Sequence, residues 1–305
     1  MAEIGSISYV TEYAQALDQA YPHVLHFGRL YQTPNNGRYR WVSGRTIEIP
    51  TLKTTGRTDA DRDEMGFAKR NHSNTWEAKT LSRQRSWETI VHPADIDQTN
   101  AVVTLNNIVS VYNNEQKFPE MDAYLISKLY ADWTGAGMTA KTDALTADNI
   151  LSIIDAMFEE QTEARVTPNG RVLYVTPHVN TLIKQAKEIY RHLVASGANT
   201  INRTVNAIDN VAIEEVPSEL MKTAYDFTEG WAVGDTAKQI NMLLVDPMAV
   251  ITPVSYETAR IDPPSAGSKG KYVYYEESHE DVFILNNKKA GLKFHVDAEG
   301  GFRNG

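Results

Sequence analysis

The sequence predicts an α+β protein organised around one long helical segment, and three observations carry that expectation. Residues 97–133 hold the longest helical pattern of the 305-residue chain, with Pro119 in its middle. Residues 147–217 read helix–strand–helix–strand, a compact α/β unit. From Gln239 onward the pattern is that of strands, in INMLLVD, AVITPVSYETARI, KYVYYEESHEDVFILN and AGLKFHVDA. No stretch has the pattern of an active site, so function has to come from architecture.

Composition narrows the classes. Hydrophobic content of 42% and charged content of 23% are ordinary for a soluble globular protein. A net charge of −9 argues against a free-standing nucleic-acid binder, which would be basic. The absence of cysteine excludes disulfides and thiolate metal sites. The opening MAEIGSISYVTEYAQAL has no basic region followed by an apolar core, so no secretory signal is expected. The longest apolar runs, 242–245 and 248–251, are too short to span a bilayer. A soluble protein made in a cytoplasm is the expectation.

In chain order, residues 1–42 form an extension with little helical content. Tyr9, Tyr13, Ala16, Leu17 and Ala20 recur at helical spacing before Pro22, and the following aromatic, Pro- and Gly-containing stretch needs another surface to order it. From Thr46 the alternation of Ile47, Ile49 and Leu52 predicts a strand, with Pro50 at an edge or bulge. Residues 53–74 are polar, with five basic and four acidic side chains. Residues 76–91 return as a second strand run carrying Trp76 and Trp87. The reading is a two-stranded arm over 46–91. Such a ribbon is marginally stable alone, so its tryptophans and open edges need a partner surface, from the chain's own body or from another copy.

His92-Pro93 ends the arm, and Asp95, Asp97 or Thr99 is placed to cap the long helix. Its first half presents Val102, Leu105, Val109 and Tyr112 on one face, and its second half presents Phe118, Met121, Leu125, Leu129 and Trp133. At 100° per residue the two stripes lie roughly 150° apart, so a kink or break is expected within 113–119. Pro119 suits the start of a new helix, with Glu120 and Asp122 favourable in its first turn. The small-residue stretch 134–146 then marks an internal boundary. Beyond it come a helix over 147–162 with Ile150, Ile153, Ile154, Met157 and Phe158 inward, a buried strand over 171–176, a helix over 179–193, and a turn-plus-strand over 206–216. Residues 219–228 read as a helix or an excursion.

Candidate chemistry is sparse. Gly135-Ala-Gly137 has neither dinucleotide-loop nor P-loop spacing and reads as a connector. His178 and His192 flank one predicted helix without i, i+4 spacing, and no HExxH is present. His279-Glu280-Asp281 reads as a solvated charge cluster, because neighbours on a strand point opposite ways, and the acid pairs 159–160, 214–215 and 276–277 read as solvated faces. No catalytic residue, cofactor-binding residue or metal ligand is assigned. Arg38, Arg40, Arg45, Lys69, Arg70, Arg83 and Arg85 concentrate in the N-terminal third beside Tyr39, Trp41 and Trp87, but acids including Asp59, Asp61, Asp63, Glu64 and Glu77 sit among them. A mixed-sign surface docking on a complementary protein fits this better than nucleic-acid contact. The candidate inter-subunit contacts are therefore Trp76, Arg83, Arg85, Trp87, Lys69, Arg70, Arg38 and Arg40.

Arrangement and phrases together resemble the major capsid proteins of tailed bacteriophages, with the HK97-type fold. The phrases are LSRQRSWETIVHPADIDQTN at 81–100, FPEMDAYLISKLY at 118–130, RVLYVTPHVNTLIK at 171–184 and YEESHEDVFILNNKKAGL at 275–292. The resemblance implies an N-terminal arm at 1–45, an extended E-loop at 46–92 lying over a neighbouring subunit, and an α/β A-domain at 138–239. It also implies a discontinuous β-rich P-domain from 93–137, with its kinked spine helix, and 240–305. The implied function is a structural, non-enzymatic shell protein that self-assembles as hexamers and pentamers into an icosahedral head. That head encloses double-stranded DNA without binding it specifically, with separate scaffolding, portal and decoration proteins as partners. The implied location is the virion, after assembly in the bacterial host cytoplasm, with no cofactor and no membrane. The lysine–asparagine cross-link of some members is not carried over, since no local motif assigns it. Two alternatives stand: an encapsulin-like nanocompartment shell, and an α/β enzyme using a cleft in 147–217.

Overall fold

The computed structural model describes residues 24–57, 70–98, 104–186 and 205–298. The helix expected within 9–20, the arm tip at 58–69 and the later part of the helix expected over 179–193 lie outside them, as does the candidate cap Thr99, while Asp97 falls within a short helix.

The N-terminal stretch finds its surface on the chain's own body. Phe27 and Leu30, around the short helix α1 (Gly28–Tyr31), are fully buried. The Asp122 carboxylate accepts the backbone N–H groups of His26 and Phe27 at 2.9 and 3.3 Å. Thr33 and Asn35 donate to the carbonyls of Pro247 and Met248 at 2.8 and 2.6 Å.

The arm is built from β1 (Arg40–Ser43), β2 (Thr46–Thr54) and β3 (His72–Thr80), paired antiparallel in that order, with Pro50 opposite Trp76. Its root is closed by Ile47, Leu81, Ile251 and Phe283. The return strand, expected as one run to Val91, breaks at Leu81–Ser82. There β4 (Arg83–Val91) leaves the arm and pairs with residues 272–280 instead. The arm is thus three strands over 40–80 rather than two over 46–91, and Trp87 belongs to the body.

After the short helix α2 (Pro93–Gln98), α3 (Leu105–Tyr112) begins with Thr104 capping Asn107 and runs through a π-helical turn, Asn113–Lys117, into α4 (Phe118–Gly135). The discontinuity falls where the rotated stripes put it, but as a change of helical pitch. Pro119 has no N–H to donate, and the wider turn upstream absorbs that gap. One extra residue per turn also rotates everything downstream by about 100° relative to a straight helix. Because the helix continues through Pro119, Glu120 and Asp122 are not helix-terminal acids; both are buried and partnered.

The α/β unit has α5 (Ile150–Glu163), β5 (Val172–Val175), α6 (Pro177–Gln185), β6 (Ala207–Ile208) and β7 (Val211–Glu215). The β6–β7 turn places Asp209 and Asn210 at φ 48° and 64°, the left-handed region such residues tolerate. The 219–228 segment is an excursion, a 3-10 turn and a small hairpin of β8 (Tyr225–Asp226) and β9 (Ala232–Val233). Then follow β10 (Ile240–Val245), β11 (Val250–Ile251), β12 (Val254–Asp262), β13 (Tyr272–Glu280), β14 (Phe283–Ile284) and β15 (Leu292–Val296).

Among the described residues, the central sheet has the order β15-β10-β5-β7-β6. Alternation decides its two faces. Val172 and Tyr174 join Leu125, Ile126, Leu129 and Trp133 of α4, while Leu173 and Val175 join Ile150, Ile154 and Met157 of α5 and Val179 and Ile183 of α6. The result is helix–sheet–helix layering, with each fully buried Leu or Ile contributing on the order of 2 kcal/mol. The expected division at 239/240 runs through this sheet, since β10 pairs with β5 on one side and β15 on the other. A second sheet, β12-β13-β4, lies against the spine.

Candidate assembly surface

Two features of the arm and body bear on association, one open on the surface and one closed within the chain. The first is the arm. Trp41, Val42, Leu52 and Trp76 keep 40%, 57%, 67% and 43% of their surface open, and Pro50 and Leu52 share the Trp76 face. Four large apolar side chains held open on a thin ribbon form a surface that needs cover. Arg40 sits over the Trp76 ring at 4.0 Å and binds Glu48 at 2.7 and 3.0 Å, which holds the indole in place. Arg38 and Arg70 are exposed nearby, and Lys69 lies outside the described residues.

The second feature is the seam between β4–β13 and the spine. Odd-numbered β4 side chains face α3 and α4, so Trp87 stacks on Tyr112 with ring centroids 3.8 Å apart and planes 6° apart. Glu120 accepts from Arg83 Nη2 at 2.6 Å and pairs with Arg85 Nε at 2.8 Å. Glu276 pairs with Lys117 at 3.3 Å and accepts the Tyr274 hydroxyl at 2.7 Å. Burial first, and then that bond, push the Tyr274 hydroxyl up to about 12. Burial also raises Glu280 above the usual carboxylate range, with Arg83 opposing it from 3.9 Å. Of the arginines expected at a subunit contact, Arg83 and Arg85 are thus engaged by this chain's own Glu120, Arg83 being almost wholly buried. Trp76, Arg38, Arg40 and Arg70 remain on the surface.

Sequence reasoning missed Glu120, Tyr124, Phe227 and Asp281, which the fold gathers at the end of this seam. The expected solvated trio 279–281 is instead buried at His279 and Asp281. Asp281 follows the end of β13, where it accepts from Ser82 N and Oγ at 2.7 and 3.0 Å, Tyr124 Oη at 2.8 Å and Val282 N at 2.8 Å. Glu276 likewise faces the spine and is buried, and Glu277 of that pair is half-buried. A carboxylate two residues before an apolar Phe-Ile pair was the available signal. His178 is exposed, His192 lies outside the described residues, and no group of acids and histidines among the described residues is placed to hold a metal.

This architecture has close counterparts among solved structures. The bacteriophage PhiM1 mature capsid matches with TM-score 0.66 and 12% identity over 96% of this chain and 93% of that one. The capsid of cyanophage P-SCSP1u matches with TM-score 0.62 and 11% identity over 95% and 93%. The capsid of an empty GTA particle matches with TM-score 0.57 and 13% identity over 94% and 96%. The chain has the HK97-type capsid fold. No family model and no curated protein matches it in sequence. At such identities it is backbone arrangement that is shared, so the surface features of this capsid fold have to be read from its own residues.

Proposed function

We propose that the chain is a major capsid protein of a tailed phage, a structural subunit without enzymatic activity that assembles into the icosahedral head shell. The observation that carries this is the fold match over almost the whole chain to capsid structures, joined to an arm whose apolar surface its own body leaves open. In this reading the E-loop is the β2–β3 ribbon. The P-domain comprises the spine and the β12-β13-β4 sheet. The A-domain is the α/β unit, sharing its central sheet with β10 and β15. Copies would associate as hexamers and pentamers through many modest interfaces repeated by symmetry. Scaffolding, portal and decoration proteins would be separate chains. The shell would enclose double-stranded DNA in the virion, after assembly in the bacterial cytoplasm, and a subunit charge of −9 suits a wall that does not grip its contents. Neighbours described as capsids favour a phage head over an encapsulin-like compartment.

Light scattering and negative-stain microscopy of the purified protein at high concentration test the reading. Shells, capsomers or large oligomers are expected, and a strictly monomeric protein refutes it. Deleting 55–73 removes the outer part of the arm, including His72 and Ser73 at the start of β3. The variant is expected to keep a native circular dichroism spectrum and to lose or misdirect assembly. Unfolding of that variant would mean that the loop packs on its own chain.

A further inference from the structure

The link between α4 and α5 wraps round one edge of the central sheet. Met138 and Ala140 pack on the core shared with α4, and Leu145 packs on the core shared with α5. Between them, Lys141 lies along the outer edge of β15. Its N–H donates to the Phe294 carbonyl at 3.0 Å, and its carbonyl accepts the Val296 N–H at 2.9 Å. Its ammonium pairs with Glu160 of α5 at 2.8 Å, and Lys293 of β15 meets the same carboxylate at 2.6 Å. Residues 138–145 thus form a strap across the sheet edge.

His295 is fully buried between β10 and this strap, turned to the α5 face with its strand partner Met242. Its polar neighbours form a chain with one direction. The Asp297 carboxylate accepts from Asn241 Nδ2 at 2.5 Å, which fixes that amide as the donor facing His295 Nδ1 at 3.5 Å. His295 Nε2–H then donates to the Asp143 carbonyl at 2.9 Å. A further proton would sit on Nδ1 and face the Asn241 NH2 group. Turning that amide over would serve the ring but aim its oxygen at the Asp297 carboxylate, so the closed strap has no arrangement that satisfies an imidazolium. Burial is the largest influence and holds the ring's protonation point below its usual 6.5, with Lys141 acting in the same sense against the Asp143 carbonyl and the carboxylates of Asp297 and Asp143. Burial also pushes the Glu160 carboxyl up, but its bonds to Lys141 and Lys293 outweigh that and hold it below the usual carboxylate range. Those ion pairs therefore persist where His295 titrates, and one group decides the outcome.

We propose that the 138–145 strap is an acid-opened latch on the edge of the central sheet, held shut by neutral His295 and released when that ring takes up a proton. Asp143 is exposed and Lys141 half-buried, whereas Phe294 and Val296 anchor β15 in the core, so lifting the strap is the route by which water reaches the ring. Opening bares the Phe294 carbonyl and the Val296 N–H, an edge able to pair with a further strand.

Hydrogen exchange of the full chain, each rate divided by that of an unstructured peptide at the same pH, reads the latch at the Lys141 and Val296 amides. Each pH unit below about 6.5 favours the open form by up to about tenfold. Protection at these two amides is expected to fall at least about tenfold between pH 7 and 5, while the β5 amides keep theirs. No fall, or an equal fall across β5, overturns the proposal. His295→Gln keeps a donor near the Nε2 position and cannot take up the proton, so its protection is expected to stay level, and a fall like that of the native chain overturns the proposal. Asn241→Asp combined with Asp297→Asn keeps the net charge and the histidine, and gives the charged ring an acceptor at Nδ1. That latch is expected to stay shut at pH 5, and an unaltered opening overturns the proposal. Either variant suffices if the other does not fold.

Discussion

Replacing Glu120 by alanine removes the one carboxylate that serves two guanidiniums on β4. In the native chain it binds Arg83 Nη2 at 2.6 Å and Arg85 Nε at 2.8 Å. The two arginines answer differently. The Arg85 side chain is 34% exposed and keeps carbonyl partners, so water takes over much of its lost bond. The Arg83 side chain is 6% exposed and loses the one hydrogen bond that the described residues give it, leaving a buried charge with Glu280, at 3.9 Å, as its remaining ion-pair partner. Breaking one side of a buried pair costs about 3–5 kcal/mol, and nearly all of that is expected from Arg83. Urea unfolding of the unassembled subunit, followed by circular dichroism, reads the loss as a lower midpoint at constant slope. The double variant R83M/E120L tests the cause, because replacing both charges with apolar groups is expected to recover most of the loss. A loss under about 1 kcal/mol for Glu120→Ala, or no recovery in the double variant, refutes the view that the seam is set by charge pairing.

Other perturbations follow from the core and its buried titrating groups. Trp133→Ala, at a fully buried ring 5.1 Å from Phe294, is expected to cost about 3–5 kcal/mol in the same urea assay. His295 is buried with Nδ1 facing Asn241 Nδ2 at 3.5 Å and Nε2 facing the Asp143 carbonyl at 2.9 Å, so an Nε2-protonated neutral ring suits both partners. Burial lowers its protonation point below the unfolded value near 6.5, so its contribution is present above that pH and lost as pH falls below it. The native urea midpoint is expected to fall between pH 7 and 5.5 more steeply than that of His295→Leu. Glu280 shifts the other way, so its contribution is full at acid pH and lost as pH rises through its raised folded value. Glu280→Gln is expected to gain in melting temperature relative to the native chain between pH 4 and 8.

What was legible in the sequence was what periodicity encodes. The inward face of α5, the all-apolar β5 and the change of face before Pro119 are local patterns, and the fold keeps them. The division of 76–91 into two strands was not legible, because Trp76 and Trp87 sit on equally good strand patterns. Only pairing, β3 with β2 and β4 with β13, tells arm from body. The same holds for the site. Arg83 and Arg85 look like surface cations until β4 is laid against the spine, where a register shift of one residue would have turned both to solvent. Glu120 was legible as an acid beside a proline, and its role depended on a strand 35 residues earlier.

The main core joins Phe27 and Leu30 to Trp133, Tyr174 and Phe294. It therefore draws on both ends of the chain, and β15 supplies one edge of the central sheet only after residue 296 exists. Every emerging polypeptide shorter than that lacks a closed interior, and the seam under β4 waits equally for β13. Pairings this distant in sequence form slowly. Translation thus imposes an order of events: the body becomes rigid only once residue 296 has left the ribosome. Products truncated before that point lack the same rigidity, a consequence of the connectivity that also slows folding.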